Sequence, residues 1–164
     1  MGNLAEMKHL HPAPLPGARP RLLIPIDATE ASRWALAYAC RLAQAGTPPE
    51  ICLLFVAEPV HSWEVLRFYT EEEVRRHFQQ RSALFLDEAA ARLQEAGLAS
   101  RSFFREAETV PGIVDLAEEL ACTEIVVPAT HWLGVFPTGL ARKLLQRPCA
   151  VPVTLVREDG STVV

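Results

Sequence analysis

The chain has 164 residues, 49% hydrophobic and 22% charged, a length and composition that suit one domain with a real core and exclude global disorder. A net charge of −4 argues against nucleic acid as the main partner, and a mean hydropathy of +0.11, with no apolar run near the roughly 20 residues of a bilayer span, argues against a membrane partner. Thirteen prolines stand against eight glycines, an odd balance, since loops that cradle phosphate are usually rich in glycine.

The opening segment, MGNLAEMKHLHPAPLP, lacks a basic stretch followed by an apolar one, so no signal peptide is expected. Pro12, Pro14, Pro16 and Pro20 defeat helix and sheet ladders, which makes residues 1–20 a disordered or extended tail. His9 and His11 lie in it without further ligands nearby. Arg21 to Ile26 (RLLIPI) reads as a buried strand. Thr29 is placed to cap a helix from Glu30 to about Ala45, closed by Gly46, with Ala35, Tyr38, Ala39 and Leu42 on one face. Ile51 to Ala57 (ICLLFVA) is a second buried strand, and Pro59 to Tyr69, with Trp63 and Phe68, a loop or short helix.

Thr70 and Glu73 form a capping box that opens a long helix ending at Gly97, with Val74, Phe78, Phe85, Ala89 and Leu93 as its apolar stripe. Ser100 to Arg105 is a more polar strand, expected near a sheet edge. Thr109 to Ala121 is a helix with Ile113, Leu116, Ala117 and Leu120 inward. Glu124 to Pro128 is the fourth strand, Thr138 to Gln146 the fourth main helix and Val151 to Val156 the fifth strand. Residues 21–157 then form one domain, and 158–164 a polar tail. Strands apolar throughout, alternating with helices, predict an α/β fold with a doubly wound parallel sheet and helices on both faces.

Cys40, Cys52, Cys122 and Cys149 form no CxxC pair, which suggests buried small hydrophobes in a reducing cytoplasm rather than a zinc or redox site. In open α/β sheets ligands bind beyond the carboxyl ends of the strands, and there stand Asp27 after the first strand and Thr130, His131 and Trp132 after the fourth. Gly134 to Gly139 mimics a Walker A start, but Leu140 and Ala141 follow where Lys and Ser/Thr are required. No GxSxG or HExxH motif is present. Asp27, His131 and Ser32 do not read as a triad, because Ser32 sits in the first helical turn. His77 and the arginines Arg75, Arg76 and Arg81, offset by three glutamates, belong to a solvated face; His61 stands apart.

The stretches LLIPIDATEASRWALAYACRLA, FVAEPV, REAETVPGIVDLAEE and EIVVPATH…GLARKLLQRPCAVPVTLV, in that order and spacing, resemble universal stress proteins over residues 21 to about 157. The resemblance implies a five-stranded sheet ordered 3-2-1-4-5, which brings the ends of the first and fourth strands together. It implies a homodimer through the last strand, at Val151, Val153 and Leu155, an apolar edge that needs covering. It also assigns nucleotide-contact positions to Pro25, Asp27, Val56, Val127, Pro128, His131, Gly139 and Leu140.

Nucleotide-binding members carry a G-2x-G-9x-G-(S/T) loop after the fourth strand. Here Pro128, His131, Gly139 and Leu140 match it, with seven residues rather than nine between the second and third positions. Pro128 has no N–H to donate, the His131 ring fills space a phosphate needs, and Leu140 lacks the hydroxyl. Trp132, Leu133, Val135 and Phe136 make the loop apolar where a phosphate loop is small and polar.

The reading is therefore a cytoplasmic, non-enzymatic stress-response protein acting through contacts with an unidentified protein or a modified cleft, with no cofactor expected. The alternative is an ATP or AMP binder with a remodelled loop, using Asp27, Val56 and Gly139 with Arg142 or Lys143. A small-molecule hydrolase at the same cleft is a third.

Overall fold

The computed structural model describes residues 18–130, 132–133, 136–137 and 139–163. Most of the amino-terminal segment, with His9 and His11, and the loop positions His131, Gly134, Val135 and Thr138 lie outside the described residues.

Strands β1 (Arg21–Pro25), β2 (Glu50–Ala57), β3 (Ser100–Glu106), β4 (Glu124–Pro128) and β7 (Val153–Val156) build a parallel sheet ordered β3-β2-β1-β4-β7. This is the doubly wound sheet of order 3-2-1-4-5, with polar β3 at one edge. The helices are α1 (Trp34–Gln44), α2 (Trp63–Leu66), α3 (Glu71–Glu95), α4 (Thr109–Glu119) and α5 (Gly139–Gln146). Two two-residue strands, β5 (Trp132–Leu133) and β6 (Phe136–Pro137), pair antiparallel after β4. They are too short to leave a periodicity in the sequence.

The central strands are buried on both faces, and alternate residues feed two cores. Leu22, Ile24, Leu53 and Val126 pack toward α1 and α3, whereas Leu23, Cys52, Leu54, Ile125 and Val127 pack toward α4 and α5. This is why the strands read as unbroken apolar runs. Each fully buried leucine contributes on the order of 2 kcal/mol.

The expected helix faces hold with two corrections. Thr29 has extended backbone at the start of the 3-10 turn Glu30–Arg33 that leads into α1, but its side chain caps nothing; the hydroxyl turns back to Asp27 instead. In α3 the capping box is present, with the Glu73 N–H donating to Thr70 Oγ1 at 3.1 Å and the Thr70 N–H to Glu73 Oε2 at 2.8 Å. Its buried stripe, however, is Ser82, Leu86, Ala89 and Leu93. Val74 and Phe78 are only half-buried because they line a cavity beyond the ends of β2 and β3.

Cys52 and Cys122 are buried and Cys40 and Cys149 half-buried. The adjoining Cys52 thiol and burial push the Cys122 thiol up. The polar segment after β7 is folded back: the Arg157 N–H donates to the Ser161 carbonyl at 2.8 Å and the Val163 N–H to the Leu155 carbonyl at 2.9 Å. Among the described residues, no helix is long and apolar enough to cross a membrane.

Candidate functional site

β1 lies between β2 and β4, and the chain leaves its two sides in opposite directions, so the crevice of this sheet opens beyond the ends of β1 and β4. Asp27 stands there, exposed, two residues past the last residue of β1. Its Oδ1 accepts the Thr29 N–H at 2.7 Å and the Thr29 hydroxyl as well. Such an Asx-type turn closes the loop on itself. Ser32 is buried, and its hydroxyl donates to the Thr29 carbonyl at 2.9 Å, so it serves the same turn rather than forming a nucleophile.

Beneath the turn lies Arg33, a residue the sequence reading passed over. Its side chain is only 4% exposed. Nη1 donates to the Asp27 carbonyl at 2.9 Å and to the Thr29 carbonyl. The guanidinium lies over the Phe85 ring at 5.5 Å, with a Glu88 oxygen 3.5 Å from Nη2, while Nε is buried with no partner among the described residues. Carbonyl acceptors, a π face and a carboxylate together offset the desolvation of a buried cation. Arg92 extends the network to Glu88 and Glu30, each at 2.9 Å, and holds the Glu30 carboxyl below its ordinary range. The only signal in the sequence was an arginine directly preceding the apolar face of α1.

On the neighbouring strand, β4 ends at half-buried Pro128. The following Ala129 N–H is taken by the Val156 carbonyl at 2.8 Å. Val127 is wholly buried in the core facing α4 and α5, and half-buried Leu140 packs against that core. Gly139, exposed, opens α5 with φ +68°, the left-handed region that favours glycine. Arg142 and Lys143 are exposed on α5. The fold thus puts Pro25, Asp27 and Pro128 on adjacent strand ends; His131 lies outside the described residues.

Val56, half-buried near the end of β2, packs against the first turns of α4, where a Cβ on Gly112 would stand 3.3 Å from Val56 Cγ1. The Thr109 hydroxyl donates to Glu58 Oε1 at 2.7 Å and holds that carboxyl below its usual range. Beyond this strand end lies a cavity of about 130 Å³ lined by Ala57, Glu58, Val60, His61, Phe78 and Glu106, among others. Next to it the segment around α2 exposes Trp63 (68%), Phe68 (74%) and Tyr69 (59%). Sequence reading placed the first two in a loop or short helix without recognising that they face water.

A five-stranded parallel sheet of this order, with its crevice between β1 and β4, defines a Rossmann-like α/β protein. The sequence profile of the universal stress protein family matches residues 19–157, and the chain belongs to that family. No curated protein sequence matches it. Among solved structures, a universal stress protein family member from Burkholderia pseudomallei is similar at TM-score 0.64 and 22% identity, covering 86% of this chain and 98% of that one. A family protein from Arabidopsis thaliana with AMP bound is similar at TM-score 0.58 and 13% identity, covering 84% and 91%. The universal stress protein from Archaeoglobus fulgidus in complex with dAMP is similar at TM-score 0.58 and 15% identity, covering 85% and 98%.

Proposed function

We propose that this universal stress protein family member works in the cytoplasm, in a stress response, through protein contacts rather than as an ordinary ATP binder. The observation that carries this reading is Pro128 at the end of β4. A phosphate loop there relies on backbone N–H groups, and proline has none. Two further features agree. Asp27 Oδ1 is engaged by Thr29, which suits a turn-forming role better than a ribose contact. The exposed Trp63, Phe68 and Tyr69 offer an apolar surface of the kind that mediates association.

The second reading is a nucleotide binder with a remodelled loop, favoured by the AMP and dAMP bound to the Arabidopsis and Archaeoglobus proteins. In that case Asp27 keeps its second carboxylate oxygen for the nucleoside, and Arg142 or Lys143 takes up phosphate charge. Mass spectrometry of the native purified protein separates the two. Our reading expects no co-purified adenine nucleotide, and a stoichiometric ATP or AMP adduct supports the alternative. A hydrolase at this crevice has less support, because the Ser32 hydroxyl is committed to the turn.

Homodimerisation through β7, at Val153 and Leu155, remains part of the proposal as a state the monomer can reach; Val151, expected on the same edge, instead precedes β7 and is buried in the core facing α4 and α5. The outer edge of β7 is already partly occupied by the chain's own Thr162–Val163 segment.

A further inference from the structure

In a parallel sheet, successive residues of a strand turn their backbone groups to opposite sides. The carbonyls of Pro152 and Val156 accept from Ile125 and Ala129, at 2.9 Å and 2.8 Å, so these residues face β4. Val153 and Leu155 therefore present their N–H and C=O groups at the outer edge of the sheet. The outward carbonyl of Leu155 is taken by the Val163 N–H at 2.9 Å, and Val156 is bridged antiparallel to Thr162.

The segment that does this is a built element. The Arg157 N–H and the Gly160 N–H close the turn on the Ser161 and Arg157 carbonyls, at 2.8 Å and 2.9 Å. Asp159 Oδ1 accepts the Ser161 N–H at 2.9 Å and its hydroxyl at 2.6 Å, and Arg157 Nη1 donates to the Thr162 carbonyl at 2.9 Å. Gly160 is buried at φ +79° against α1, where a Cβ would stand 2.5 Å from the backbone carbonyl carbon of Ala37 and from the Tyr38 nitrogen. The turn is thus seated on the helix at one point and on the strand edge at another.

We infer that the Arg157–Val163 hairpin is an intramolecular cap on the outer edge of β7, and that β7 pairs with the β7 of a second copy only when this hairpin lifts. The occupant seen on the edge is an antiparallel strand segment, and a second copy turned through a two-fold axis offers another of the same chemistry. Both need the Leu155 carbonyl, so they exclude one another. An exposed edge otherwise invites pairing, and covering it with the chain's own segment is one way to restrain that. The inference rests on the homodimer reading above and adds its control.

The test compares, at equal concentration by analytical ultracentrifugation, the full chain, its Gly160→Val variant and a chain shortened to end at Arg157. The full chain is expected to be monomeric. Both altered chains are expected to self-associate at least about tenfold more tightly, the scale set by loss of one competing backbone contact. Val153→Pro in the shortened chain, which removes an outward N–H, is expected to restore the monomer.

If all three chains stay monomeric, β7 does not self-pair and the homodimer reading fails. If all three are equally dimeric, the homodimer reading stands and the cap is wrong. Amide exchange of the full chain tests the cap without any variant: the Val163 N–H is expected to be protected in the monomer, and free exchange there overturns the inference.

Discussion

Arg33 Nη1 donates to the backbone carbonyl of Asp27 at 2.9 Å from a side chain that is almost wholly buried. The turn that carries the best-placed acidic residue of the crevice therefore stands on an internal cation. Glu30, Glu88 and Arg92 link the same turn to α3.

Replacing Arg33 by alanine strands the Asp27 and Thr29 carbonyls and empties the space over Phe85. The expected loss is about 3 kcal/mol of folding stability, the scale for breaking a buried, hydrogen-bonded ion. Arg33→Lys is expected to recover less than half of it, because one ammonium cannot reproduce the planar fork. Urea unfolding of the three proteins checks both statements.

Burial, followed by the charge and hydrogen bond of Glu124, pushes the Tyr38 phenol up to about 12. Its hydroxyl donates to Glu124 at 3.1 Å, and Glu124 also accepts from Thr154. A phenol that holds its proton more tightly when folded stabilises the protein fully below its unfolded value of about 10. That contribution is lost as pH rises through the folded value. Denaturant midpoints across about pH 10 to 12 are expected to fall more steeply for the wild type than for Tyr38→Phe. Equal slopes would refute the assignment.

Thr70→Ala removes half of the capping box of α3. The expected cost is about 1 kcal/mol, with faster amide exchange confined to the first turns of that helix. Those turns lie over the cavity at the β2 end rather than over the core. The loss is therefore expected to be local, with little change around Leu86 and Leu93, which circular dichroism and residue-resolved exchange distinguish.

Much of the fold was legible in the sequence because the strongest signals were long and continuous. LLIPI, ICLLFVA and EIVVP announce strands buried on both faces, and Thr70 with Glu73 marks the start of α3. The strand order came from family resemblance, since periodicity carries no information about which strands are neighbours.

Tertiary context hid the rest. Arg33 looks like any helical arginine until Phe85 and two carbonyls are folded around it. Gly160 looks like a tail glycine, yet the backbone of Ala37 leaves no room for a Cβ there. At the site, the absence of a backbone donor at Pro128 and the burial of Val127 within EIVVP were both readable directly. Phe85 fell on the predicted stripe of α3 but is only half-buried, because it faces Arg33 and Phe55 rather than the core centre.

The most direct test of the account is a thermal-shift titration of the purified chain with ATP and magnesium. A ligand present at 100 times its dissociation constant stabilises a folded protein by about 2.7 kcal/mol, an increment such an assay resolves readily. We expect no shift at millimolar ATP. A saturable upward shift at micromolar ATP, abolished by Asp27→Ala in a protein that stays folded, would contradict the account.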